Sequence, residues 1–193
     1  EYMRLQEALT STHGRNRHKA SIGLYVYDDI EFPVKYGPKK PEKIKFIPLG
    51  HEKQMDGPTI ISDHEKGVEF GPIIMSHKKW PLLYDSKGKV LSLPPIINSN
   101  DLGRMTTETK NVFVEVTGTH HLTVNQALNI ITTSFAERGA KVESVTVMYP
   151  DGTFEETPNL IPDIMTISVE EINRIVGLDL DEEHIVKALE KMG

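Results

Sequence analysis

Residues 83–119 read LYDSKGKVLSLPPIINSNDLGRMTTETKNVFVEVTGT. Trp80 to Asp85 and Lys89 to Leu93 are short apolar runs joined across Ser86-Lys87-Gly88, a pattern that predicts a β-hairpin. Pro94-Pro95 ends the second run, because proline has no N–H to give to a ladder. Asn111 to Thr117 alternates strictly and predicts a strand. Val112, Val114 and Val116 then face one way, and Phe113, Glu115 and Thr117 the other. Polar side chains set between apolar flanks suit fixed positions in a pocket rather than a solvated loop. The stretch is therefore the place to look for function.

Working outward, Leu122 to Arg138 carries helical spacing, with Leu128, Ile131 and Phe135 on one face. Thr123 and Gln126 form a candidate capping box, and Gly139 a stop. Tyr2 to Thr10 predicts a short helix, and Ala20 to Tyr27 a half-buried strand with Ala20, Ile22, Leu24 and Val26 on one face. Phe32 to Gly57, rich in proline and lysine, predicts irregular chain with short extended pieces. Pro58 to Lys66 predicts one helix, capped near Asp56 or Gly57 and stopped by Gly67. Lys141 to Tyr149 and Thr153 to Glu156 predict a second hairpin around Pro150-Asp151-Gly152.

Pro158 to Asp163 reads as a linker. Beyond it, Ser168 with Glu171 opens one short helix ending at Gly177, and Asp181 caps another running to Met192. The expected architecture is α+β: a mixed, largely antiparallel sheet domain with one long helix over residues 1–160, then a short helical segment over 161–193. The start, Glu1-Tyr2-Met3-Arg4-Leu5, has neither an initiator nor an apolar core, which predicts a piece of a longer protein.

The chain has 193 residues, enough to bury roughly 70% of its unfolded surface without disulfide or metal. It contains no cysteine, which removes disulfide scaffolds, thiolate zinc sites and cysteine nucleophiles. The net charge of −6 argues against a surface built mainly for nucleic acid, although Arg15, Arg17, His18 and Lys19 form a local basic patch. No apolar run reaches the length of a membrane span. His51-Glu52-Lys53 and His64-Glu65-Lys66 begin like a helical zinc motif, but Met55 and Val68 stand where the second histidine belongs. His120 and His121 are adjacent, so on a helix they point apart. No metal site is expected. No phosphate-binding glycine loop and no serine elbow occurs. Glu115 stands out on its residues alone: a carboxylate in mid-strand, sharing its face with Phe113 and Thr117. Ser92 interrupts an apolar strand, and Asn98 follows two isoleucines.

Taken together, Leu91-Ser92-Leu93-Pro94-Pro95-Ile96-Ile97-Asn98-Ser99, Thr106-Thr107-Glu108-Thr109-Lys110-Asn111-Val112-Phe113 and Glu115-Val116-Thr117-Gly118-Thr119 resemble the beta subunit of archaeal and eukaryotic phenylalanyl-tRNA synthetase, in its editing module. Leu5-Gln6-Glu7, Gly14-Arg15-Asn16-Arg17, Ile22-Gly23 and Pro81-Leu82-Leu83-Tyr84-Asp85-Ser86 fit the same pattern. The resemblance implies hydrolysis of tyrosine wrongly esterified to tRNA(Phe). It places substrate-binding roles on Leu83 and Glu115, and catalytic roles on Ser92, Asn98 and Thr117. Arg15, Arg17 and Lys19 become candidates for tRNA phosphate contacts. Ser92 has no base partner in the sequence, so attack by a positioned water is expected rather than a covalent intermediate. The family also implies an alpha subunit as partner in an α2β2 assembly, a cytoplasmic location, ATP and magnesium for the parent synthetase, and no cofactor for editing. A non-catalytic tRNA-docking or subunit-interface module is the alternative.

Overall fold

The computed structural model describes residues 2–192 and divides into two compact units, Glu1–Asn159 and Leu160–Gly193. In the first, α1 (Tyr2–Ser11) precedes β1 (Ala20–Val26), β2 (Lys35–Lys39), β3 (Lys45–Phe46) and β4 (Met55–Asp56). Next come α2 (Gly57–Asp63), α3 (Glu65–Phe70), β5 (Trp80–Tyr84), β6 (Val90–Leu93), β7 (Ile97–Asn98) and α4 (Asn100–Gly103). Strand β8 (Val112–Gly118), α5 (His121–Ala136), β9 (Val145–Met148) and β10 (Phe154–Thr157) complete the unit. Every strand pair among the described residues is antiparallel, as an α+β chain of this kind predicts.

Two sheets matter for the site. One is the ribbon β1–β8, the other the four-stranded order β2-β5-β6-β7. The alternation in β1 and β8 sorts their side chains onto two faces, but β1, expected to be half-buried, is buried on both faces from Ala20 to Tyr25, because the second face meets the other sheet. Ile22, Leu24, Val112, Val114 and Val116 pack with Ala127, Ile131 and Phe135 of α5 and with Leu5 and Leu9 of α1. Tyr25 and Phe113 join Ile30, Leu83, Leu91 and Leu102 in a different cluster. A third cluster, including Ile44, Ile60, Trp80, Leu82 and Ile96, sits under α2 and α3. Burying each large aliphatic side chain contributes about 1.5–3 kcal/mol before entropy is counted, so the clusters set the strand registers.

The predicted hairpin at 80–93 forms, and buried Asp85 closes its turn. Its Oδ1 accepts from the amides of Lys87 at 3.0 Å and Lys89 at 2.7 Å. Several local expectations change. Residues 57–70 make two helices, not one, because the chain breaks at His64, whose ring accepts from the Lys66 amide at 3.0 Å. Gly67 lies inside the second helix rather than ending it. A Cβ there would sit 1.7 Å from the Ile60 carbonyl oxygen, so close helix approach explains this glycine. His120, not Thr123, caps α5: its Nδ1 accepts from the Thr123 amide at 3.3 Å and also meets the Thr123 hydroxyl at 2.8 Å. The second hairpin is shorter than predicted on its first arm, starting at Val145.

In the second unit, α6 (Val169–Val176) and α7 (Glu182–Glu190) start where the sequence places them. Ser168 Oγ accepts from the Glu171 amide at 3.1 Å, and Asp181 Oδ1 from the His184 amide at 2.9 Å. Asn173 fastens the connection, donating to Leu180 O at 2.8 Å and accepting from Leu180 N at 2.9 Å.

Between α1 and β1 the chain makes a left-handed turn. Arg15, Asn16 and Arg17 have φ of 53°, 50° and 67°, a conformation costing about 1–2 kcal/mol for each non-glycine residue. The turn is held from several directions: Asn16 N donates to Ser11 O at 3.0 Å, Arg17 N to Thr10 O at 3.1 Å, and Lys19 N to Gly14 O at 2.9 Å. It aims Arg17 at the cis Pro94-Pro95 corner, where Nη1 donates to Pro95 O at 3.0 Å and Ile96 O at 2.9 Å. The guanidinium also lies 4.0 Å from the Phe70 ring centre and 3.1 Å from exposed Glu7. Arg17→Met should cost about 1–3 kcal/mol, because two carbonyls lose a charged donor. Glu7→Gln should cost less than about 1 kcal/mol, since its half of the pair is exposed. Urea denaturation of the two variants checks the order.

Candidate functional site

Strand register puts four side chains in one row. Tyr36 of β2 lies opposite Leu83 of β5, Leu83 opposite Ser92 of β6, and Ser92 opposite Asn98 of β7. Directly opposed residues share a face of the sheet. On the ribbon, Gly23 lies opposite Glu115, Tyr25 opposite Phe113, and Ser21 opposite Thr117. These are the faces turned away from α5.

Tyr25 joins the two sheets. Its ring is fully buried, and its Oη lies 2.9 Å from Ser92 Oγ, 3.1 Å from Glu115 Oε2 and 3.4 Å from Asn98 Oδ1. A phenol has one proton and two lone pairs, so it can donate to the carboxylate while accepting from Ser92. The Asn98 amide reaches the Leu24 carbonyl at 3.4 Å, tying its side chain to β1. The meeting needs a glycine at position 23. A Cβ there would lie 2.3 Å from Tyr25 Oη and 2.6 Å from Glu115 Oε2.

Of the residues expected from sequence, Ser92, Asn98 and Glu115 therefore meet at one hydroxyl. Leu83 lies beside Ser92 and is buried against Tyr25 as part of an apolar wall. Thr117 follows Glu115 on the same face, its Oγ1 3.5 Å from Ser21 Oγ. Arg15 and Lys19 are exposed, whereas Arg17 is occupied within the chain. Sequence reasoning missed Tyr25, Gly23 and Tyr36. Gly-x-Tyr in a strand gives no signal until that strand is paired with the one carrying Glu115.

The carboxyl is the electrostatic centre. Burial raises the Glu115 pKa from 4.5 to about 7, against the hydroxyls of Thr117 and Tyr25, which favour the ionised form. Burial and the Glu115 charge together hold the Tyr25 phenol well above its usual range, and the same two causes raise Tyr36. Glu115 Oε1 is shut off from solvent and makes no hydrogen bond, while the neighbouring Thr117 hydroxyl is near enough to favour the ionised carboxyl. Phe113 extends the apolar side of the site, with Phe32 edge-on to it at 5.5 Å between ring centres. Phe32 and Tyr36 are about half exposed and stand at the solvent side.

A raised carboxyl pKa means that the folded protein holds a proton the unfolded chain has lost. The stabilisation from this group is complete below about pH 4.5 and disappears as pH rises towards 7, a change of at most about 3 kcal/mol. Glu115→Gln should remove that dependence. Urea midpoints of the two proteins should diverge between about pH 5 and about pH 8, the variant gaining relative to the parent as pH rises.

No family model matches the chain. It is 46% identical over 194 aligned residues, covering all of this chain, to the phenylalanine–tRNA ligase beta subunit of Thermococcus gammatolerans, and spans 34% of that subunit. The Pyrococcus furiosus subunit gives the same identity and the same 34%. That of Methanococcoides burtonii is 41% identical over 98% of this chain and 35% of its own length. Among solved structures, an N-terminal fragment of the phenylalanyl-tRNA synthetase beta subunit from Pyrococcus horikoshii superposes with a TM-score of 0.94 at 43% identity, covering 99% of this chain and 55% of that one. The chain thus spans about a third of the length of the curated relatives it matches. Similarity along the whole chain, in sequence and in fold, makes it a homologue of a segment of the phenylalanine–tRNA ligase beta subunit, as its motifs imply.

Proposed function

We propose that the chain is the editing module of a phenylalanine–tRNA ligase and hydrolyses the ester of tRNA(Phe) mischarged with tyrosine. The observation that carries this reading is the buried Glu115 carboxyl, with one oxygen bonded to a phenol and the other without a partner. A pocket shaped for phenylalanine rejects an added hydroxyl poorly, by about 10²-fold. A second pocket with a buried acceptor inverts the problem. Tyrosine satisfies the acceptor, while phenylalanine leaves it orphaned, a difference reaching about 10⁴–10⁵.

In this reading Leu83 and Phe113 flank the aromatic ring and Glu115 accepts from its hydroxyl. Asn98 and Thr117 orient the amino acid and the attacking water. Ser92 shapes the site rather than attacking, because its Oγ is already bonded to Tyr25 and has no basic partner. An ester is an activated acyl group, so alignment of a water and polarisation of the carbonyl are the main requirements. The terminal ribose hydroxyl of the tRNA can assist. Arg15 and Lys19 are the candidates for contact with tRNA phosphates, a reading supported by their exposure on the turn that Arg17 anchors. ATP and magnesium belong to aminoacylation by the parent enzyme, with an alpha subunit in a cytoplasmic α2β2 assembly. The editing step uses no cofactor.

The competing reading is a non-catalytic tRNA-docking or interface module. Deacylation of Tyr-tRNA(Phe) by this chain and by its full synthetase separates the two. Tyrosine release above the spontaneous rate is expected from the synthetase. Release from neither protein defeats the hydrolase. Glu115→Gln should cut the preference for tyrosyl over phenylalanyl ester at least about tenfold while the protein stays folded; an unchanged ratio removes Glu115 from the selecting role.

A further inference from the structure

The proposed selection of tyrosine leaves one matter unexplained. A carboxyl group has two oxygens and rotates, and in this site a tyrosine of the protein itself already sits on one of them. We infer that Tyr25 is a positioning residue: its hydroxyl engages Oε2 of Glu115 and thereby presents Oε1 as the acceptor for the substrate phenol. This inference rests on the editing reading.

Several observations support the division of labour. The Tyr25 hydroxyl lies 2.9 Å from Ser92 Oγ, which can donate to it, so β6 of the four-stranded sheet holds the phenol as it donates to Glu115. Its ring is locked among Ile30, Leu83, Leu91 and Leu102. Oε2 takes that contact at 3.1 Å, whereas Oε1 is buried and unbonded. A buried oxygen without a partner costs about 1–3 kcal/mol, which a substrate hydroxyl recovers and a bare phenyl ring does not. With Oε2 held, the carboxyl cannot turn to satisfy Oε1 locally. The internal phenol thus keeps the acceptor available instead of competing for it.

Tyr25 also biases the proton. A donor to the carboxylate favours its ionised form, the stronger acceptor, against burial; the Thr117 hydroxyl acts in this sense first and Tyr25 adds to it. The titratable groups coupled to Glu115 among the described residues are Tyr25 on β1 and Tyr36 on β2. Both phenols are raised, so both stay neutral where the carboxyl titrates.

The test uses this chain with L-tyrosine and L-phenylalanine as probes, and follows the Glu115 carboxyl by carbon NMR across pH. Tyr25→Phe keeps the ring and removes only the hydroxyl. It should move the Glu115 midpoint upward by about one unit and reduce the tyrosine-over-phenylalanine affinity ratio about five- to tenfold. Gly23→Ala keeps every polar group but drives a methyl between the phenol and the carboxyl. It should shift both readouts in the same direction, and it serves as the second variant if Tyr25→Phe fails to fold. If the parent prefers tyrosine and the folded variants match it in ratio and midpoint, the positioning role is overturned while editing stands. Tighter tyrosine binding by Tyr25→Phe also overturns it, because Tyr25 would then be a competitor. A parent with no preference for tyrosine overturns this inference and the selecting role of Glu115 with it, while deacylation by the full synthetase decides the hydrolase separately.

Discussion

The larger unit depends on the antiparallel pairing of β1 with β8. These strands lie far apart in the chain, yet they meet without a register break from Ala20 opposite Gly118 to Val26 opposite Val112. Strand side chains alternate with a period of two. Once Val112, Val114 and Val116 are committed to the α5 core, Phe113, Glu115 and Thr117 must face the other way. The apolar demand of one face therefore dictates the chemistry of the other. By claiming the valines, the helix determines where the carboxylate points.

That placement carries an electrostatic cost, and the fold compensates for only part of it. Burial raises the Glu115 pKa, and two hydroxyls offset the effect incompletely. A fully satisfied carboxyl would have been more stable. Elsewhere in the chain a buried acid is treated differently: two backbone amides donate to the Asp85 oxygen in the hairpin turn. The contrast separates a structural carboxylate from one kept short of partners.

Much of this was legible before the structure. The hairpin, the alternating strand, the long helix and the caps at Ser168 and Asp181 all follow from local patterns. Glu115, Ser92 and Asn98 stood out because each breaks an apolar run. What stayed hidden was non-local. Tyr25 read as an ordinary strand aromatic, since its partners are Ser92, Asn98 and Glu115, far along the chain. Gly23 carried no turn signal because its role is to leave room for two side chains. Arg17 read as part of a basic patch, and only the left-handed turn reveals that its charge is directed inward at a proline corner. Gly67 misled for a related reason: steric crowding, rather than helix termination, calls for the missing side chain.

The row formed by Tyr36, Leu83, Ser92 and Asn98 exists only as a register, with each member drawn from a different strand. A single residue inserted or lost within β6 would turn Ser92 to the opposite face and part it from both neighbours. Exchange of one side chain for another carries no such penalty. Related chains can therefore vary the row by replacing residues one at a time, whereas changes in length are accommodated in the connections, such as the turn between Asp85 and Lys89. The geometry that assembles the site thus also restricts the kinds of mutation by which a lineage can retune it.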